Sequence, residues 1–375
     1  MKSPELDRRF MAAALSIGRR NAGRTWPNPS VGAIVTRDDG AGPTVIGRGV
    51  TAPGGRPHAE PLALAEAGDA ARGATAYVTL EPCSHQGRTG PCAVALRDAG
   101  VARVVTAIED PNPLVAGQGH AILREAGIEV VTGILAEEAA RDHAGHIRRV
   151  RDGRPHVRLK MAMSSDGFVG REGAGQIAIS SPEALDYVHG LRTSTDAILV
   201  GIGTALSDDP SLTCRLPGLV DRSPVRVVLD SAGRLPVDSK LVRTAGDAPL
   251  WIVTTHRTDP ALVAAWQEKG VTVLPVDADD SGRVSLPAAL AAVSAQGITS
   301  VLVEGGPRVA NALLDADLID EMIFDVSPMA IGAGGIPAFS GKPPEAVPED
   351  PRFVQIGDRR LGVDRVLRFW RKERS

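Results

Sequence analysis

The sequence predicts an α/β protein of two domains, and three observations predict it. Its 375 residues exceed what one ordinary domain of about 100–200 residues holds. Short β-branched runs alternate with Ala- and Leu-rich stretches of helical character, the pattern of sheets covered by helices. The alternation pauses once, at the basic, Gly/Pro-containing "RRVRDGRP" (148–155), and then restarts. That pause puts a boundary near 150 and gives domains of 1–150 and 151–375.

The first helix is expected over 6–20, "LDRRFMAAALSIGRR", and Pro27-Asn28-Pro29 stops the segment because proline drives its preceding residue out of the helical region. Strands at 31–36 and 45–50 are joined by "RDDGAGPT", which reads as a hairpin connection. Helix 59–71, strand 76–80, helix 91–99, strand 101–108, helix 121–126 and strand 128–132 follow, so the first domain is read as an α/β sandwich. Beyond the boundary come strand 156–163, helix 182–192, and strands 197–201, 225–230 and 250–254. Helix 260–269, strand 271–276, helix 286–295, strand 300–304 and helix 308–316 continue the pattern. It closes with "EMIFDVSP" (321–328) and strand-like segments 352–356 and 365–370. No fixed-period repeat occurs, which excludes a solenoid.

Hydrophobic residues at 43% and charged residues at 23% are ordinary for a globular protein and argue against disorder. Aromatics are only 3%, so cores must be built from Ala, Val, Leu and Ile, and stacking surfaces for single-stranded nucleic acid are scarce. A net charge of -3 gives no general attraction to a polyanion. A small-molecule partner is expected, and neither nucleic acid nor membrane. The three cysteines, Cys83, Cys92 and Cys214, are too few and of the wrong parity for a secreted disulfide framework, so a reducing compartment is expected. The start lacks the apolar core of a signal peptide and no run approaches the roughly 20 apolar residues of a membrane span. A cytoplasmic protein is therefore expected.

One constellation carries strong chemistry. His58-Ala59-Glu60 opens a predicted helix, Glu81-Pro82-Cys83 follows the strand "AYVTL", and Cys92 opens the next helix after Pro91. Imidazole nitrogen and thiolate sulfur are zinc ligands, and a catalytic zinc site uses three protein ligands with a fourth position for water. His58, Cys83 and Cys92 supply that set, and Glu60 can move a proton of the water. H-x-E followed by P-C and a second Cys is the order found in zinc deaminases. The spacing departs from theirs: eight residues, not two, separate the cysteines. The longer loop "SHQGRTGP" carries His85 and Arg88, and an arginine there suits a phosphate or is a solvated loop residue. Asn28, in "WPNPSVGAIV", either meets a heterocycle edge with its amide or caps a turn.

The second half offers weaker patterns. "SVLVEGGPRVANALL" is a strand, a Gly-Gly-Pro turn and a helix, and such a turn presents N–H groups at a helix N-terminus to phosphate or is merely a turn. Neither it nor "GIGTAL" is the G-x-G-x-x-G fingerprint, which disfavours a Rossmann dehydrogenase. "LSDDPSLTCR" places Asp208 and Asp209 before Pro210 with Arg215 soon after, and Arg192 lies on the preceding helix.

Together these segments resemble the bacterial RibD family of bifunctional riboflavin biosynthesis proteins, a pyrimidine deaminase fused to a reductase. "PNPSVGAIV", "HAE", "GATAYVTLEPCSHQGRTGPC", "DPNPLVAGQG", "TDAILVGIGTALSDDPSLTCR", "VRVVLDS" and "VEGGPRVANALLDADLIDE" carry the resemblance, over nearly the whole chain. It implies a cytidine-deaminase-like α/β/α sandwich followed by a dihydrofolate-reductase-like α/β domain. By the same resemblance the first half, with Zn2+, removes the 2-amino group of 2,5-diamino-6-ribosylamino-4(3H)-pyrimidinone 5′-phosphate. The second half then reduces the ribosyl group of that product to ribityl with NADPH, and the chain forms a homo-oligomer of two or more copies.

Residue by residue, the resemblance implies substrate contacts at Asn28, His85, Arg88, Gln176, Arg192, Leu212, Arg215 and Glu304. It implies NADPH contacts at Met163, Ala178, Thr204, Asp208, Ser231, Gly306, Pro307, Arg308, Val309, Ala310, Asn311 and Ala312. Lys160 and Asp208 are both candidates for assisting proton transfer during reduction. The family's "SQWITS" stands here as "GQIAISS", with Ala178 in place of the Trp. Trp26, Leu62, Gln86 and Gly90 also depart from commoner family residues, and none of them is an expected metal ligand. Two other readings stand beside this one: a deaminase with a nonreducing binding or dimerisation domain, and a nucleic-acid editor with an accessory domain.

Overall fold

The computed structural model describes residues 3–87, 90–113, 115–175, 177–339 and 349–372. The chain divides between Gly153 and Arg154 into two compact units.

In the first unit α1 (Pro4–Gly18) leads to β1 (Gly32–Asp38), β2 (Pro43–Val50), α2 (Ala59–Ala67), β3 (Thr75–Val78) and α3 (Cys92–Asp98). β4 (Arg103–Thr106), α4 (Gln118–Glu125), β5 (Glu129–Val131), α5 (Ala136–Asp142) and α6 (Ala144–Asp152) complete it. The strands form one sheet in the order β2-β1-β3-β4-β5, with β1 antiparallel to both neighbours and the rest parallel. Alternate residues of each strand face opposite sides. Ala33, Val35, Ala76, Val78 and Val104 pack against Ala59, Ala63 and Ala67 of α2, Ala93 and Leu96 of α3, and Leu123 of α4. Ile34, Tyr77 and Val105 pack against Phe10, Met11, Ala14 and Leu15 of α1 and Ala139 of α5. The result is an α/β/α sandwich in which small residues set a close helix-to-sheet distance.

In the second unit β6 (His156–Ser164), β7 (Phe168–Arg171), α7 (Pro182–Thr193), β8 (Ala197–Gly201), α8 (Ile202–Asp208) and β9 (Val225–Leu229) come first. α9 (Lys240–Arg243), β10 (Leu250–Thr255), α10 (Pro260–Glu268), β11 (Thr272–Val276), α11 (Leu286–Ala295) and β12 (Ser300–Val303) follow. α12 (Pro307–Asp315), β13 (Glu321–Ser327), β14 (Gly335–Pro337), β15 (Phe353–Leu361) and β16 (Asp364–Arg371) end the fold. Among the described residues the main sheet runs β11-β10-β9-β8-β12-β6-β13-β16-β15, parallel as far as β13 and antiparallel beyond, and β7 and β14 form a separate ribbon. The chain leaves β6 for β8, builds outward to β11, and returns to fill the gap with β12. Such a reversal opens a crevice at the carboxyl ends of the strands.

Several elements differ from the sequence expectations. The basic stretch 148–155 is no linker up to Gly153, because α6 runs through most of it with an Arg148–Asp152 pair one helical turn apart at 2.8 Å. Its polarity marks an exposed helix, which ends where Gly153 takes φ 68°. Residues 202–208, for which no element was expected, form α8. α5 went unread because Ala139 is its one buried side chain, and β7 and β14 because Gly and Pro weaken their strand pattern.

Candidate functional site

The first site is assembled by three local devices. Gly49 of β2 lies under the start of α2, where a Cβ would stand 1.9 Å from the Ala59 carbonyl oxygen, so only glycine lets the helix sit this low. His58 is the N-cap of that helix and Glu60 lies in its first turn, both on the sheet's carboxyl-end side next to the turn after β3. That turn presents Cys83, and Cys92 opens α3 with its N–H donating to Cys83 Sγ at 3.3 Å.

The ligand atoms of His58, Cys83 and Cys92 converge within 4.8 Å of one another. His58 Nδ1 is 3.3 Å from Cys92 Sγ and 3.7 Å from Cys83 Sγ. A hydrogen bond from the Cys92 thiol lowers the Cys83 thiol pKa, and the same bond with burial raises that of Cys92. Glu60 is 4% exposed, and burial pushes its carboxyl up to about 7. Two sulfurs and one imidazole at this closeness suit zinc over a hard cation, so the residues fit the metal that the sequence implies.

Glu81 holds the far wall. Its carboxylate accepts the N–H groups of Asp110 (3.0 Å), Gly117 (2.9 Å), Gly119 (2.8 Å) and His120 (3.3 Å). This pins Asp110, Gly117, Gly119 and His120 beside the expected zinc ligands, and Gly119 allows it, since a Cβ there would stand 2.0 Å from the Pro82 carbonyl oxygen. The sequence reading assigned Glu81 no role; its place directly before Pro82-Cys83 was the available signal. Asn28 donates one amide N–H to the Gly55 carbonyl at 2.8 Å, which commits one of its two donors to the loop before His58. His85 is exposed and acts electrostatically on Asp110. Arg88 lies outside the described residues, as does Gln176.

The second site lies at the carboxyl ends of β8, β12 and β6. Glu304, just past β12, takes a two-pronged ion pair from Arg192 of α7 at 2.9 and 2.7 Å, and Arg192 also donates to the Thr213 carbonyl at 2.9 Å. Burial pushes Glu304 up, but Arg192, with Lys160 and His189, more than offsets this and holds its carboxyl below the ordinary range. Burial pulls the Lys160 ammonium below its usual value, against Glu304 and Asp325. Leu212 is buried with φ 55°, and the Arg215 N–H donates to His189 Nδ1 at 3.3 Å.

Thr204 and Gly306 meet: the Gly306 N–H donates to Thr204 Oγ1 at 3.1 Å, which ties α8 to the start of α12. Gly306 has φ −67°, a conformation any residue adopts, so no backbone strain demands glycine there. Pro307 and Arg308 open the helix, Asn311 donates to the Pro307 carbonyl at 2.6 Å, and Ala312 is exposed. Ala310 faces the core and Val309 packs over Gly201, so these two side chains serve packing. Met163 is buried on β6, Ser231 accepts the Val284 N–H at 2.9 Å, Ala178 is exposed, and exposed Asp208 accepts from Ser207 at 2.6 Å.

Fold and sites together define a bifunctional enzyme, a zinc-deaminase unit joined to a reductase unit. Residues 4–108 match the cytidine and deoxycytidylate deaminase zinc-binding region, and residues 155–366 match the RibD C-terminal domain. The riboflavin biosynthesis protein RibD of Bacillus amyloliquefaciens is 40% identical over 350 residues, covering 92% of each chain. That of Escherichia coli K12 is 38% identical over 374 residues, covering 96% of this chain and 98% of the relative. Acinetobacter baumannii RibD superposes with TM-score 0.86 at 36% identity, over 99% of this chain and 100% of the other. The chain belongs to the RibD family of riboflavin biosynthesis enzymes. Its deaminase domain is of the zinc-binding type and its reductase domain of the NADPH-dependent type. No described helix is long and apolar enough to cross a membrane.

Proposed function

We propose that the first unit hydrolytically removes the 2-amino group of 2,5-diamino-6-ribosylamino-4(3H)-pyrimidinone 5′-phosphate, and that the second reduces the ribosyl side chain of the product to ribityl with NADPH. A solved Thermotoga maritima relative, 33% identical with TM-score 0.83 over 98% of this chain and 99% of its own, is described as a diaminohydroxyphosphoribosylaminopyrimidine deaminase/5-amino-6-(5-phosphoribosylamino)uracil reductase. The observation that carries the reading is the convergence of His58, Cys83 and Cys92 beside buried Glu60.

Zinc held by those three residues would bring the pKa of a water near neutrality. Glu60 takes the proton of the attacking water and returns it to the departing amine. Asn28, His85 and Arg88 line the substrate, Arg88 on its phosphate. In the reductase, Arg192, Leu212, Arg215, Gln176 and Glu304 hold the ribotide. Met163, Ala178, Thr204, Asp208, Ser231 and the turn at Gly306–Ala312 hold NADPH, the last at the positive end of the α12 dipole. NADPH supplies hydride, and the protein must supply a proton. Lys160 is the better placed donor: it faces the Arg192–Glu304 pair, whereas Asp208 is exposed on α8.

The reading places domain functions at 1–150 and 151–375 and the enzyme in the cytoplasm, where the thiols of Cys83 and Cys92 stay reduced. It also includes a homo-oligomer, supported by the uncovered edge strand β2 with Val45 45% exposed. Incubating the purified protein with the diaminopyrimidinone phosphate, with and without NADPH, tests the whole reading. The deaminated ribosyl compound alone is expected without NADPH and the ribityl compound with it; unchanged substrate in both would refute it.

A further inference from the structure

Reducing a ribosyl group to ribityl adds hydride at C1′ and breaks the C1′–O4′ bond, so one proton must reach O4′ in each turnover. The Lys160 side chain has no hydrogen bond among the described residues, and near it lies a pair of acids that the functional reading leaves unused. Lys160 pairs with Ile323 across β6 and β13, so Asp325, two residues further along, shares its face of the sheet. Asp364 begins β16 two residues before Val366, the partner of Asp325, and shares that face as well. Asp325 is 2% exposed and Asp364 is fully buried.

Each carboxyl has one oxygen occupied. The Ser180 hydroxyl donates to Asp325 Oδ2, and the Ser181 N–H donates to Asp364 Oδ2 at 2.6 Å. The other oxygen of each is buried with no donor among the described residues. The two carboxyls stand on one face of neighbouring strands, each with a bare buried oxygen, and two ionised carboxylates there would bury like charges that offer each other no donor.

We propose that Asp325 and Asp364 share one proton and form the reservoir that recharges Lys160 during ribosyl reduction. The inference rests on the reductase reading above. Hydride from NADPH forms the C1′–H bond as C1′–O4′ breaks, and O4′ takes a proton from the Lys160 ammonium. The neutral amine then takes the shared proton on its flexible four-carbon stem, leaving both carboxylates ionised until solvent returns a proton. Burial raises Asp325, and Asp364 adds to this while Ser180 and Lys160 oppose it. The other charged groups facing Lys160 are Glu304 at the end of β12 and Arg192 from α7; His189 on α7 acts on that pair. A bound ammonium beside a singly protonated pair leaves the cluster without an uncompensated charge.

Asp325→Asn is the discriminating variant. The amide keeps the shape, can donate to Asp364, and leaves the pair with the same single negative charge while removing its proton. The holoenzyme and the variant are compared for reductase kcat against pH, for NADPH KM, and for the C=O stretch of protonated carboxyls in the infrared difference between the two proteins. The proposal expects a protonated-carboxyl band at neutral pH in the wild type that the variant lacks. It also expects reductase kcat about tenfold or more lower at pH 8, an alkaline limb displaced to lower pH, NADPH KM within about twofold, and unchanged deamination. Asp364→Asn should do the same, and covers the case in which the first variant does not fold. A folded variant with an unchanged limb, or no band difference, overturns the reservoir while wild-type reduction still supports the enzyme reading. Absence of reduction in the wild type overturns both.

Discussion

Glu60 is buried two residues after His58, a proposed metal ligand, and that position suits it to handle the proton of water at the metal. Glu60→Gln should retain one zinc per chain and lower deaminase kcat by about 10²–10⁴-fold, because the amide hydrogen-bonds but cannot carry the proton. Metal analysis and turnover on the same sample check both halves of this statement. Cys83→Ser should lose zinc and deamination together and leave reduction of supplied intermediate near the wild-type rate, since the reductase unit has its own core. The convergence of His58, Cys83 and Cys92 beside Glu60 was legible in the sequence because the types and order of these residues suit zinc chemistry. Glu81 and Asp325 were not, because their partners lie far along the chain: Gly119 is 38 residues from Glu81, and Ser180 is 145 residues from Asp325.

At the scale of elements, close approach and buried charge fix where the ligands stand. Gly49→Ala would force α2 away from β2 against the 1.9 Å clearance at Ala59, and should weaken zinc retention under mild chelation while reduction continues. Gly306→Val places a branched side chain next to Thr204 Oγ1, 3.4 Å from the new Cβ. It should raise the NADPH needed for half-maximal reduction without altering deamination, as an NADPH titration would show; equal affinity would make the turn purely structural.

Asp7 anchors α1 to the sheet, taking two hydrogen bonds from Arg103 at 2.7 and 2.8 Å and one from the Tyr77 hydroxyl at 2.9 Å. The Arg103 hydrogen bond, first among the causes, holds its pKa below 3.8. The folded value is depressed, so this stabilisation is present above the unfolded value and is lost as pH falls through the folded one. Asp7→Asn should cost about 3 kcal/mol at pH 7 by leaving Arg103 underpaired, and should flatten the acid limb of a melting-temperature profile below about pH 4. Strands and helices with buried faces were readable from their periodicity. α6 was not, because an exposed basic helix and a linker share a composition, and α8 was not, because a helix of seven residues buries only Ala205.

At the scale of the molecule, two sheets of different topology each place reactive groups at the carboxyl ends of their parallel strands, and the chain divides between Gly153 and Arg154. The order of elements made the two-domain α/β architecture readable, because strand and helix alternate on both sides of one interruption. The interleaving of β12 between β8 and β6 was beyond reach, since strand order depends on pairing between segments about 100–150 residues apart. Independent cores imply independent loss of function. Stripping zinc with a chelator should abolish deamination and leave NADPH oxidation with supplied deaminated intermediate intact. The most direct measurement is the product analysis of one sample given the diaminopyrimidinone phosphate and NADPH, before and after zinc removal. The account predicts the ribityl product before removal and unchanged substrate after it, restored by added zinc; full conversion by the zinc-free protein would contradict it.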